Sequence, residues 1–403
     1  MRVHRFTEFV LAIVLALITS DGMAQDWPQW RGLDRDGKAN FKAPENWPQE
    51  FTLQWKVTVG DGVATPALVG DRLYVFSRED GSEVTRCLEA TSGKEIWIDE
   101  FETRGASGPA RGFPGPRSSP TVAEGKVVTL GARGMLSCLD ANTGKKLWRK
   151  DEFEEYPMFH PASSPLVTNG LCIAQLGGQR NGSLVAYDLV SGEKKWQWQG
   201  GSPEYASPVL MNIGDSQLVI AKIVNRIVAI GATDGKLMWE MPYKGGWITS
   251  TPIVGRDTLF FTDPDRGTRA IKFETTADGI QAKDLWKNDK ISVQYNTPVL
   301  KDGLLYGLSK QNEFFCLDAR DGKTVWSAPT GGGGDYGSIV DAGSVLLALT
   351  PHAKLIAFQP GDKKYVELAR IRVADSETYA YPVVSGNRIF IKDKGTVRLW
   401  TIQ

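Results

Sequence analysis

Histidine is nearly absent from this chain: three residues in 403, and with His4 near the start only His160 and His352 remain for the body of the protein. Two histidines in different repeats are too few for a histidine-based metal site. Cysteine is also scarce. Cys87, Cys138, Cys172 and Cys316 include no adjacent pair. Charge of one sign is lacking too, since Lys+Arg and Asp+Glu both number 47. No global field would gather nucleic acid or an anionic membrane, so neither is expected as a partner. The longest apolar run, from Phe9 to Ile18, falls well short of the ~20 residues a spanning helix needs. It follows Arg2 and Arg5 and precedes Gly22-Met23-Ala24. That order reads as a secretory signal over residues 1–24, with the mature chain starting at Gln25 and holding no transmembrane segment. No cysteine sits at the cut, so lipid attachment there is not expected. The expected location is periplasmic or secreted.

Glycine is plentiful at 43 and tryptophan at 13. Both suit many short strands joined by tight turns. The stretch from Ser118 to Trp148 shows the unit: Ser119-Pro120, three short apolar strands, Asp140-Ala141-Asn142-Thr143-Gly144-Lys145, and a fourth strand ending at Trp148. The opening pair recurs at Thr65-Pro66, Ser164-Pro165, Ser207-Pro208, Thr251-Pro252 and Thr297-Pro298, and as Tyr381-Pro382. A period of about 45 residues is that of a propeller blade.

The fourth strands carry Trp55, Trp97, Trp148, Trp196, Trp239, Trp286 and Trp326, with Leu368 in the expected place of a degenerate copy. These tryptophans read as structural wedges between blades, each burying on the order of 200 Å². Pairs such as Ser92-Gly93, Thr143-Gly144 and Asp234-Gly235 supply the left-handed glycine of a tight hairpin. Cys87, Cys138 and Cys316 each precede a leucine at one repeat position. They read as small core fillers, too far apart for disulfides.

Residues 25–50 are not a repeat and are expected to strap one face. Asp34, Asp36 and Gly37 echo a calcium loop, but the later acidic ligand is missing and a structural turn is the reading. Residues 51–59 look like a lone fourth strand, and residues 379–400 like three strands without a fourth. The expected fold is therefore all-β: an eight-bladed β-propeller over 51–403, of four-stranded antiparallel blades, closed by pairing of the N- and C-terminal strands. A monomer is expected.

The segment from Leu139 to Trp148 resembles the tryptophan-docking motif of the pyrroloquinoline-quinone-type propellers. That superfamily includes quinoprotein alcohol dehydrogenases and the propeller lipoprotein of the outer-membrane β-barrel assembly machine. Trp27-Pro28-Gln29-Trp30-Arg31-Gly32 is similar to the start of secreted bacterial members. The resemblance implies that the first strand of each blade lines the central channel. Residues just before Ser/Thr-Pro then ring one mouth: Arg117, His160, Tyr205, Trp247, Tyr295, Tyr336 and Tyr379, with Glu204, Gln294 and Asp335 alongside. Such a ring suits a flat, anionic or hydroxylated ligand, through aromatic stacking and bidentate arginine. The connection 104–117, rich in glycine and proline, adds Arg111 and reads either as a lid with anion-binding arginines or as a mobile surface loop.

Two functions follow. One is non-catalytic binding or scaffolding in the cell envelope, with a small molecule, a glycan or an envelope protein as partner. The other is a quinoprotein alcohol or sugar dehydrogenase with pyrroloquinoline quinone and calcium as cofactors, which the resemblance implies would use an aspartate base and often an adjacent cysteine pair. That pair is missing, no catalytic residue is assignable, no metal ligand is named, and binding is the favoured reading.

Overall fold

Period-two alternation builds each repeat into an open antiparallel sheet, as in Thr121–Ala123, Lys126–Leu130, Leu136–Asp140 and Lys146–Lys150. The two middle strands are buried on both faces, whereas on the last strand only Trp148 is buried. That gradient follows from radial packing: middle strands are sandwiched between neighbouring blades, and outer strands form the rim. The computed structural model describes residues 25–243, 249–277, 279–332 and 336–402. Among these residues no helix is long and apolar enough to cross a membrane.

Among the described residues the strands form eight four-stranded sheets. Seven take consecutive strands within 67–102, 121–150, 166–199, 209–242, 253–288, 299–329 and 338–372; we number these blades 1 to 7. In blade 8, Thr52–Thr58 lies outside Val383–Ser385, Arg388–Lys392 and Thr396–Thr401, pairing with the last of them from Thr52↔Thr401 to Thr58↔Thr396. The expectation of a closed fold needs correction. Among the described residues no sheet is closed: each is a separate four-stranded ladder with an inner and an outer edge strand, and no ladder continues from blade to blade. The reason is geometric. Neighbouring blades meet face to face, so side chains, not backbone ladders, must join them.

The joint is the tryptophan. Each indole lies on the rim strand beside a register shift, as where Cys138 pairs with Trp148 and Leu139 with Lys146, leaving Leu147 unpaired. The same bulge recurs at Trp97, Trp196, Trp239, Trp286 and Trp326. Across from the indole sits a small residue, Cys87, Cys138, Ala186, Ala229, Ala270 or Cys316, which leaves room for the ring. All four cysteines are buried free thiols. The indole N–H then donates to a turn carbonyl of the next blade: Trp55 to Ala90, Trp97 to Ala141, Trp148 to Leu189, Trp196 to Ala232, Trp286 to Ala319 and Trp326 to Gly361, at 2.9–3.2 Å. A Cβ on Gly144 would lie 2.5 Å from the Trp97 ring, and Gly144 also has φ +71°. Glycine is required there twice over. Burying an indole contributes several kcal/mol at ~25 cal/mol/Å², against about 1 for its hydrogen bond. Burial therefore supplies the adhesion, and the hydrogen bond sets the angle.

Two positions break the rule. Trp239 faces blade 5, whose long hairpin Gly267–Thr276 and Gly279–Asn288 replaces the tight turn, and it packs edge-on against Phe273 at 4.8 Å. In blade 7 the tryptophan register belongs to Ala369, and Leu368 is the bulged residue.

Candidate functional site

The innermost strands expose backbone carbonyls toward the axis, and proline at their start removes N–H donors. Around this channel runs a relay of hydroxyls. The N–H of Thr65 donates to Ser119 Oγ, Ser119 to Ser164, Ser164 to Ser207, Ser207 to Thr251 and Thr251 to Thr297, all at 2.9–3.2 Å. Tyr381 N–H donates to Thr65 Oγ1 at 2.9 Å. The recurrent Ser/Thr-Pro motif is thereby explained: the hydroxyl satisfies a buried amide of the neighbouring blade. Sequence reading found the motif but not this role, because the donor lies one whole repeat away.

Blade 7 lacks the motif, and the N-terminal segment covers the lapse. Arg31 Nη1 donates to Thr297 O of blade 6 at 2.6 Å and to Tyr381 Oη of blade 8 at 3.1 Å. Its Nη2 reaches Pro298 O at 2.9 Å. Arg35 enters the opposite side of the channel. It donates to Ser164 O, Pro165 O, Pro208 O and Thr121 Oγ1, and its Nε to Gln29 Oε1. Arg35 is 4% exposed, and burial pushes its guanidinium down to about 9, still protonated at pH 7. Trp27 exchanges two backbone hydrogen bonds with Leu68, and Trp30 Nε1 donates to Thr251 Oγ1. Two arginines thus fill one end of the channel with positive charge held by carbonyl oxygens. Neither was singled out from sequence, because nothing local marks an arginine as axial.

The other end carries the aromatic residues. Tyr295 and Tyr336 stack in parallel at 4.1 Å, Tyr336 meets Tyr379 edge-on at 5.2 Å, and Tyr379 meets Phe113 of the 104–117 loop at 5.2 Å. Tyr205 Oη accepts the Phe159 N–H, and the two rings pack edge-on. Tyr336 is 39% exposed. The structure therefore connects Tyr295, Tyr336 and Tyr379, with Phe113 as a further member that sequence reading missed. Its signal was available, an aromatic in the unusual loop. Trp247 and Asp335 lie outside the described residues.

The charged candidates behave differently. Arg117 donates to Gly115 O, Ala110 O and Phe113 O, so its guanidinium folds its own loop. Burial lowers its pKa, while the phenols of Tyr205 and Tyr336 act on it from different blades. Arg111 is exposed. His160 is 2% exposed with both ring nitrogens engaged, Nδ1 at 2.8 Å from Ala132 O and Nε2 accepting Ser107 N–H at 2.9 Å. It is stacked on Tyr156 at 4.6 Å.

A calcium-held quinone does not fit the described residues. Among them no group of three or more His, Cys, Asp or Glu is placed to hold a metal. The axial carbonyls that a cation would use near the strap already hold Arg31 and Arg35. The buried cysteines are never adjacent and offer no ring over the mouth.

Eight four-stranded blades joined by docked tryptophans around a Ser/Thr-lined channel define the quinoprotein-type β-propeller class. The family model PQQ_2, described as "Outer membrane protein assembly factor BamB", matches residues 45–212 and 80–328, and the chain belongs to this family. It is 22% identical to outer membrane protein assembly factor BamB of Yersinia pestis over 53% of this chain and 56% of that protein. With the Xanthomonas campestris protein of the same name it is 27% identical over 60% and 61%. The chain thus spans less than two thirds of the length of these two relatives. Quinohemoprotein alcohol dehydrogenase of Comamonas testosteroni is 27% identical over 43% of this chain and 25% of that enzyme. In three dimensions the chain resembles BamB from Moraxella catarrhalis (TM-score 0.64, 15% identity, 88% of this chain and 98% of that one). It resembles the Comamonas enzyme similarly (TM-score 0.63, 16% identity, 93% and 80%). At such identities the structural likeness shows the fold alone.

Proposed function

We propose that this protein is a non-catalytic binding or scaffolding protein of the cell envelope, and that its binding surface is the aromatic mouth. The carrying observation is the chain of rings from Tyr295 through Tyr336 and Tyr379 to Phe113, which offers Tyr336 to solvent at one end of a channel filled at the other. Aromatic faces suit the flat or hydroxylated surface of a small molecule, glycan or protein side chain. The similarity to assembly factors supports an envelope location, periplasmic or secreted. A photo-crosslinking residue at Tyr336, compared with one at exposed Val190, tests this in the native host. Adducts confined to position 336 support the reading, and equal or absent adducts overturn it.

The partial similarity to quinohemoprotein alcohol dehydrogenase supports a second reading, a quinoprotein alcohol or sugar dehydrogenase. Adding pyrroloquinoline quinone and calcium to the purified protein distinguishes the two. Retained quinone absorbance with dye-linked alcohol oxidation establishes the enzyme; neither is expected from the residues at the mouth.

A further inference from the structure

The 104–117 loop reaches the aromatic mouth with its own small core, Ala106 and Ala110 packed on Ala132, and is braced internally by Ala106 N–H donating to Pro114 O and by Arg117 on three of its carbonyls. At its start Arg133 Nε donates to Gly105 O at 3.1 Å, and Arg133 Nη2 to Ser107 Oγ at 3.3 Å. At its end Val63 N–H donates to Pro116 O. Between them, Ser107 opens a short turn, Gly108–Ala110, and its backbone N–H is accepted by Nε2 of His160. Beyond that turn Phe113 covers the edge of Tyr379.

The hydrogen bonds dictate the histidine's state. Nδ1 faces the carbonyl of Ala132 and must carry a proton, and Nε2 faces an N–H and must not. The ring is therefore neutral while the loop is in place. A proton added at Nε2 would point at the Ser107 N–H across 2.9 Å, donor against donor. One side would have to move. His160 is seated by its own backbone, whose N–H donates to Pro157 O, and by the stack on Tyr156, whereas Ser107 belongs to a surface connection.

We propose that His160 is a proton-operated latch: protonated at Nε2, it releases Ser107 and with it the loop that covers part of the mouth. Several charged or titratable groups surround it. Arg133 lies over the Tyr156 ring and bonds its hydroxyl, Arg117 acts from the loop, and Glu83 accepts the N–H of Ala132 at 2.7 Å on the far side of the Nδ1 partner. Burial first, then the two arginines, hold His160 below the ordinary histidine range, while burial raises Glu83 to about 7. The open loop exposes the ring and returns its pKa toward ~6.5. The open state then binds the proton more tightly. Closure is complete above that value and is lost as pH falls below it.

Hydrogen exchange of the purified protein at pH 7.5 and 5.0, corrected for intrinsic rates, reads the latch. Protection of 104–117 should drop about tenfold at the lower pH while Lys126–Leu130 and Leu136–Asp140 keep theirs. His160→Gln, which keeps a donor and an acceptor but cannot take up a proton, should make the loop indifferent to pH. Glu83→Gln should leave the response in place. His160 has φ +66°, so if the glutamine variant does not fold, NMR titration of the wild-type ring replaces it: its midpoint should coincide with that of loop exchange. Equal loop protection at both pH values, a midpoint apart from that of His160, or a response abolished by Glu83→Gln overturns the latch.

Discussion

The two ends of the axial channel solve the same problem with opposite chemistry. At the strap end, inner-strand carbonyls without donors meet Arg31 and Arg35, whose bonds reach blades 2, 3, 4, 6 and 8. At the mouth, rings stack on rings and Arg117 turns back onto its own loop. A satisfied buried cation makes a rigid plug. The aromatic rim instead leaves Tyr336 partly open to solvent. Under the proposed reading, stability belongs to the first end and binding to the second.

The comparison is broken most severely at the plug. Arg35→Ala should cost about 3–5 kcal/mol in chemical denaturation, since it leaves buried carbonyls without donors. Arg111→Ala, at the exposed tip of the mouth loop, should stay within about 0.5 kcal/mol. If both lose the same amount, the plug is not special. Between the two ends stand the blade joints. Trp148→Ala should cost about 3–4 kcal/mol, and Trp239→Ala less, because Trp239 is only partly buried and docks on Phe273 rather than on a turn. Equal thermal shifts would contradict the docking account. Gly144→Ala should cost about 2–3 kcal/mol, against about 1 for Gly125→Ala. Both glycines have φ +71°, but only the first has an indole in the way. The difference in denaturation midpoint measures the contact apart from the backbone strain. At the mouth itself, Tyr336→Ala should cost about 1 kcal/mol through its contacts with Tyr295 and Tyr379. If the mouth is the binding surface, the same change should abolish crosslinking from a probe at Tyr379, while Arg35→Ala should not once the protein is folded.

Much of this architecture was legible in the chain. The indole, the glycine four residues before it and the serine or threonine before proline recur at one spacing, and all three contacts they make are repeated from blade to blade. Repetition turns a long-range contact into a local signal. Where the repeat degenerates, legibility fails. Leu368 takes the expected place of a tryptophan in the sequence, but the recurrent bulge gives that register to Ala369. The Tyr381-Pro382 variant hid a phenol that Arg31 uses. Position before the inner strand selected the candidate residues but said nothing of their individual roles: His160 and Arg117 both hold the 104–117 loop, one through Ser107 and one through three carbonyls.

Alternation, turn glycines and indoles act within a single repeat or between like neighbours, so the chain alone encodes the class of sheet, the number of blades and the wedge residue wherever the repeat is intact. Packing in three dimensions is what leaves the sheets open, puts Arg31 and Arg35 on the axis and makes His160 neutral where it sits. Those outcomes depend on groups brought together from distant blades, where unpaired carbonyls and amides can be counted only once their neighbours are in place.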